Sequence, residues 1–285
     1  MTSRLSRCAP ACYAAWRSLS GRERTKMVLE VCIDSVESAI AAEHGGAKRV
    51  ELCSDLLEGG ITPGAGLIAS VRRRIGIDLF VMIRPRGGDF YYTDLEFEVM
   101  QDEIEHARRL GADGVVLGLL DQQGRVDIAR TRKLVELAHP LPVTFHRAID
   151  MTPDLTASLE DVLATGAARI LTSGGAPTVT LGLAEITRLV KSSDGRIAIM
   201  PGSGITPGNV AAIARATGAK EFHSSVRTAF ASPVHFRKQG MTMGDLSDRE
   251  YQRFVVREEN VRALVDALTH SLDSQAALPL NAPPV

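Results

Sequence analysis

Hydrophobic and polar positions along the chain alternate between two rhythms. Short runs of four to six residues, rich in branched apolar side chains, recur at Val28–Ile33, Arg49–Cys53, Leu79–Arg84, Gly114–Leu119, Pro142–His146, Arg169–Ser173, Arg196–Met200 and Glu221–Ser224. Between most of them lie stretches with helical spacing, at Ser35–Glu43, Leu95–Leu110, Asp127–Ala138, Leu155–Ala164, Leu181–Val190 and Pro207–Ala216. Strand and helix alternating at roughly 25–30 residues per unit predict a parallel sheet.

The punctuation between elements sharpens that picture. A glycine–alanine pair closes a helix and leads into a strand at Gly46-Ala47, Gly111-Ala112, Gly166-Ala167 and Gly218-Ala219. Glycine supplies the left-handed backbone that ends a helix. The strands that follow these pairs are the second, fourth, sixth and eighth. Four similar double units predict a closed α/β barrel of the TIM (β/α)8 type. An open doubly wound sheet is the alternative, and the lack of a nucleotide fingerprint after the first strand counts against it. Thr62-Pro63 and Thr206-Pro207 read as helix starts, a capping threonine with proline at the first helical position.

Composition excludes several classes. The chain of 285 residues is 45% hydrophobic and 24% charged, the balance of a globular protein. No run approaches the ~20 apolar residues that span a bilayer, so no membrane span is expected. Net charge is −1, but residues 1–26 hold six basic side chains against one acid, Glu23. The remaining 259 residues carry a net of −6, and an acidic body with only 5% aromatics is a poor partner for nucleic acid.

The chain divides into a basic extension (residues 1–26), a barrel domain with a C-terminal helix (27–273) and an irregular tail from Ser274 to Val285. Cys8 and Cys12 lie in the extension, Cys32 and Cys53 just beyond it, and none follows in the next 232 residues. A secreted disulfide scaffold spreads its cysteines through the fold. Reduced thiols in a cytoplasmic protein are the expectation, with a nuclear location or mitochondrial targeting by the Arg-rich, acid-poor extension as alternatives.

Alternate residues of a strand face opposite sides. In the first strand Leu29, Val31 and Ile33 share one face, with Glu30 and Cys32 on the other. In the second, Val50 and Leu52 oppose Arg49, Glu51 and Cys53. The apolar faces belong against the helices, so both Glu-x-Cys pairs are expected inside the barrel. Strands ~4.8 Å apart then aim the Cys32 and Cys53 sulfurs at one point. Two thiolates suit a soft ion such as Cu(I) or Zn(II). The same spacing permits a disulfide, or two buried cysteines that only fill space.

Other inward positions are unusually polar. Phe80, Met82 and Arg84 share a parity, as do Thr144 and His146, and Glu221 and His223. Glu30, Glu51, Arg84, His146 and His223 therefore converge from five strands on one cavity. Catalytic residues gather at the carboxyl ends of barrel strands. An enzyme acting on a small anionic or phosphorylated substrate would use Glu30, Glu51 or His146 as acid or base and Arg84 to hold the anion. The structural alternative is a salt-bridge network between Arg84 and the two glutamates. Two glycine-rich loops, Thr172-Ser-Gly-Gly175 and Pro201-Gly-Ser-Gly-Ile-Thr206, offer amides to an anion through Gly174, Gly175, Gly202, Ser203 and Gly204.

Several of these strings together resemble the CutC family of copper homeostasis proteins. They are Glu-Val-Cys-Ile-Asp-Ser-Val-Glu-Ser-Ala at 30–39, Arg49-Val-Glu-Leu-Cys53, Glu58-Gly-Gly-Ile-Thr-Pro63, Met82-Ile-Arg-Pro-Arg-Gly-Gly-Asp-Phe90, Pro142-Val-Thr-Phe-His-Arg-Ala-Ile-Asp150 and Met200-Pro-Gly-Ser-Gly-Ile-Thr206. The similarity runs from about Met27 to Thr228 and is strongest to animal members. It implies a TIM barrel, a cytoplasmic location, self-association as a homodimer or homotetramer, and Cu(I) at Cys32 and Cys53. It names no reaction, and Cys8 and Cys12 match no family position.

Overall fold

The computed structural model describes residues 27–243 and 250–276. Alternation of apolar and polar residues builds β1 (Val28–Ile33), in which Leu29, Val31 and Ile33 are buried against helices while Glu30 and Cys32 face the other way. The same logic forms β2 (Arg49–Leu52), β3 (Asp78–Met82), β4 (Gly114–Leu117), β5 (Val143–Phe145), β6 (Arg169–Thr172), β7 (Ala198–Pro201) and β8 (Glu221–Ser224). These eight strands run parallel in the order β7-β6-β5-β4-β3-β2-β1-β8. The two ends of that order, β7 and β8, lie side by side, which makes a nearly closed α/β barrel of the TIM type.

The outer layer comprises α1 (Val36–His44), α2 (Ala65–Arg72), α3 (Asp94–Arg109), α4 (Ile128–Ala138), α5 (Leu155–Thr165), α6 (Leu183–Ser193) and α7 (Val210–Thr217). Side chains cap several of them: Ser35 accepts from Ser38 N ahead of α1, and Thr93 with Glu96 forms a reciprocal capping box on α3. The four glycines of the Gly–Ala pairs adopt positive φ, between 70° and 97°, which turns each helix end toward the next strand.

Three local expectations are corrected. α2 fills the interval between β2 and β3 and starts after Gly64, because the Thr62 hydroxyl is engaged elsewhere, accepting from Arg84 N and donating to Glu103. α7 starts at Val210, since Thr206 N donates to Asn209 Oδ1 and holds Pro207 in a turn. The last helix, α8 (Glu258–Ala276), runs past the expected tail boundary at Ser274.

An antiparallel hairpin of β9 (Arg227–Ala231) and β10 (Gln252–Val256), which the strand pattern did not signal, separates β8 from α8. α8 then packs between α7 and α1 and completes the outer ring. A Cβ on Gly45, at the end of α1, would lie 2.4 Å from Val261 Cβ, so glycine is what lets these two helices approach. Residues 1–26, with Cys8 and Cys12, and the end of the tail lie outside the described residues. Among the described residues, no helix is long and apolar enough to cross a membrane.

Candidate functional site

The barrel interior has a charged floor beneath a sulfur-lined tier. In the floor, Arg49 Nε donates to Glu30 Oε2, and Arg49 Nη2 donates to Glu221 Oε2 at 2.5 Å. Arg169 also grips Glu221, from Nε at 2.5 Å and from Nη2 at 3.2 Å. Both guanidinium groups lie over Phe80, at 4.9 and 5.2 Å from its ring centre. Two cations thus neutralise the buried Glu30 and the half-buried Glu221, the condition under which buried charge is tolerated. The salt-bridge network expected of Arg84 belongs to Arg49 and Arg169, because strand register sets Glu30 level with Arg49.

Glu30 is fully buried, and its other oxygen accepts from His223 Nδ1 at 2.7 Å. Burial raises its affinity for a proton, but Arg49 and His223 outweigh that and lower the pKa to about 2. With both oxygens engaged below the cavity, Glu30 orients His223. Glu30 itself does not border the cavity described below.

The tier above carries the thiols. Cys32 in β1 and Cys53, just after β2, place their sulfurs 4.0 Å apart. The Cys53 thiol also donates to Glu51 Oε2 at 3.6 Å, and His223 Nε2 is 3.7 Å from the same oxygen. Phe80, Met82 and Val116 pack around the pair. The Cys53 hydrogen bond, aided by His223 and opposed by burial, lowers the Cys32 pKa to about 5. The same contact, together with burial, pushes Cys53 well up. Burial and the neighbouring Cys32 charge push Glu51 up as well. His223 resists burial and stays protonated well above the usual imidazole range, through Glu51, Cys32 and Glu30. These directions favour a thiolate at Cys32 facing a protonated His223.

A cavity of about 610 Å³ opens above this tier, bordered by Cys32, Glu51, Met82 and His223 on one side and by Arg84 and His146 on another. Arg84 donates to the carbonyls of Glu58 (2.7 Å), Gly60 (3.0 Å) and Gly88 (2.8 Å). His146 Nδ1 accepts from Ala148 N at 3.2 Å, which leaves the ring hydrogen on Nε2. Burial and the nearby Arg84 charge lower the His146 pKa to about 3, which favours the neutral imidazole.

The glycine loops separate into two cases. Ser203 and Gly204 border the cavity, with Gly202 just below them beside His223. Gly174 and Gly175 do not border it. The amides of Ser173 and Gly175 donate to the Asp150 carboxylate, and Gly174 N donates to Thr172 Oγ1. An internal carboxylate thus takes the anion seat expected after β6. The sequence reading also gave no role to Arg169 or Glu221, although the inward parity of Glu221 and His223 was legible.

Among the described residues, two sets of donor atoms lie close enough to share an ion, Cys32 with Glu51 and Cys53, and Glu30 with Glu51 and His223. Within each, the candidate ligand atoms are within 4.8 Å of one another. The second is tied up by the His223–Glu30 hydrogen bond, which leaves the sulfur set as the metal candidate.

A nearly closed α/β barrel with paired thiols at the mouth side of β1 and β2 defines the class. The family model for CutC matches residues 27–228, and the chain belongs to the CutC family. A family protein CutC of Chromobacterium violaceum is 49% identical over 241 residues, covering 85% of this chain and 98% of the relative. The mouse copper homeostasis protein cutC homolog is also 49% identical, covering 83% of this chain and 88% of its own. A crystal structure of the putative copper homeostasis protein CutC from Streptococcus agalactiae superposes with a TM-score of 0.67 at 34% identity, covering 70% of this chain and 98% of that one.

Proposed function

We infer that this protein binds Cu(I) through Cys32 and Cys53 and takes part in copper homeostasis. The observation that carries the reading is the 4.0 Å separation of two buried sulfurs on adjacent elements. Metal–thiolate bonds of ~2.3 Å require about 4.6 Å between sulfurs on opposite sides of one ion, so a few tenths of an ångström of opening is enough. Thiolate and thioether ligands select soft ions, and Met82 packs against the pair as a further sulfur donor.

Charge supports a monovalent ion. With Cys32 already a thiolate beside protonated His223, Cu(I) needs to expel only the Cys53 proton. One positive charge replaces another, so the buried charge of the tier is unchanged. Glu51 accepts the Cys53 hydrogen bond and borders the cavity. Copper is cargo in this scheme. A reducing compartment, here the cytoplasm, keeps both thiols available, and self-association as a homodimer or homotetramer is part of the same reading.

Anaerobic titration of Cu(I) against a competing chromogenic chelator tests it. One ion per chain is expected, with Cys32→Ser and Cys53→Ser each lowering affinity by orders of magnitude while the far-UV spectrum is retained. Stoichiometric copper on the folded double variant would sink the proposal. Native mass spectrometry of the purified chain reads metal content and subunit number together.

A further inference from the structure

The cavity has a second wall that copper binding does not use. Arg84 and His146 line it, 5% and 4% exposed. Among the described residues, no carboxylate lies within 4.0 Å of the Arg84 guanidinium. Its terminal nitrogens are spent on loop carbonyls, and its Nε–H meets no acceptor at hydrogen-bond geometry, although the buried Tyr92 hydroxyl interacts with the same guanidinium. His146 Nε2–H has none either. The Phe90 ring lies between the two groups, 5.0 Å from the guanidinium carbon and 5.0 Å from the imidazole centre.

A buried cation without an anion is costly, and so is a buried N–H without an acceptor. Here the two occur together at a cavity of about 610 Å³, inside the ~300–1,000 Å³ range of small-molecule pockets. The site also depends on Gly118, where a Cβ would lie 2.5 Å from His146 Nδ1, so glycine keeps the space that the ring occupies.

We propose that this wall binds the oxyanion group, carboxylate or phosphate, of a small organic molecule, with Arg84 and His146 as its binding residues. Both offer only hydrogens, so the group they hold must be an acceptor, which excludes amines and cations. Arg84 supplies the charge, and the neutral His146 ring supplies a directed hydrogen bond. Arg84, His146 and Phe90 all border the cavity, so a ligand there reaches both residues beside the Phe90 ring. The assignment stands apart from the copper reading, because neither residue belongs to the candidate metal sets of the described residues.

Calorimetric titration of the full chain in an anion-poor buffer, with pyruvate and separately with inorganic phosphate, tests the site. Saturable binding of pyruvate alone assigns a carboxylate, of phosphate alone a phosphate, and of both the shared oxyanion. His146→Phe and Arg84→Lys should each weaken binding by roughly tenfold or more, the scale of a lost charge-assisted hydrogen bond. His146→Gln, which keeps an amide donor, should restore part of the loss. The Cys32→Ser/Cys53→Ser double variant should bind the anion unchanged, so failure of the copper reading leaves this one standing. If Arg84→Lys does not fold, because that guanidinium braces three loop carbonyls, the His146 variants decide. No binding of either probe at millimolar concentration overturns the proposal, as does binding indifferent to the His146 variants.

Discussion

Cys32 and Cys53 face each other with sulfurs 4.0 Å apart, yet burial acts on them in opposite electrostatic company. Cys32 has the Cys53 thiol and His223 to stabilise a thiolate, whereas Cys53 has the Cys32 charge and Glu51 against it. The first sulfur is a ready ligand and the second becomes one only by losing a proton.

Alkylation of Cys32 should therefore follow a titration with a midpoint near pH 5, where Cys32 becomes a thiolate. Peptide mapping after brief iodoacetamide pulses across pH reads the rate at each thiol. Cys53→Ala should move the Cys32 midpoint upward, because the Cys53 hydrogen bond is the largest influence lowering it. A Cys32 midpoint in the ordinary thiol range would contradict the assignment.

Copper uptake should release protons in a fixed ratio. Calorimetry of Cu(I) transfer near pH 7, repeated in buffers of different ionisation enthalpy, should give about one proton per ion, from Cys53. A value near two would mean that Cys32 also holds its proton at that pH.

Glu30 links stability to acid. Its folded pKa of about 2 lies below the unfolded carboxyl value of 4.5, so its contribution is complete above pH 4.5 and is lost as pH falls through 2. Glu30→Gln leaves Arg49 and His223 short of an anion and should cost about 3–5 kcal/mol at pH 7. Urea denaturation at several pH values checks both points, and the variant should lose less stability than the parent between pH 4.5 and pH 2.

Gly118→Ala should destabilise the protein by about 1–3 kcal/mol through overpacking against His146. Denaturation midpoints measure the cost. The added methyl group lies on the His146 side of the cavity, so Cu(I) affinity should be unaffected.

Much of this site was legible in the residue order. Strand period two placed Glu30, Cys32, Arg49, Glu51 and Cys53 on the inner face, and the barrel does enclose them. Thr62-Pro63 signals a helix after β2, but the eight residues of α2 carry Gly66 and follow Gly64, so their spacing is too short and broken to mark its bounds. The β9–β10 hairpin escaped because its pairing joins strands separated by some twenty residues without regular spacing. Asp150 was read only as the end of a strand motif. Its carboxylate reaches Ser173 and Gly175 on the next loop, a contact that no local pattern records.

The residue sequence by itself determined the alternation of strands and helices, the glycine-turned helix ends and the inward parity of each polar side chain. Those are consequences of backbone periodicity within a few neighbouring residues. Tertiary structure alone decided which charges meet. Arg49 and Arg84 share the inward parity, but register sets Arg49 beside Glu30 in the floor, while Arg84 follows the end of β3 at the cavity. Height along the barrel axis depends on how all the strands stagger together, and that quantity belongs to the closed sheet and to no single segment.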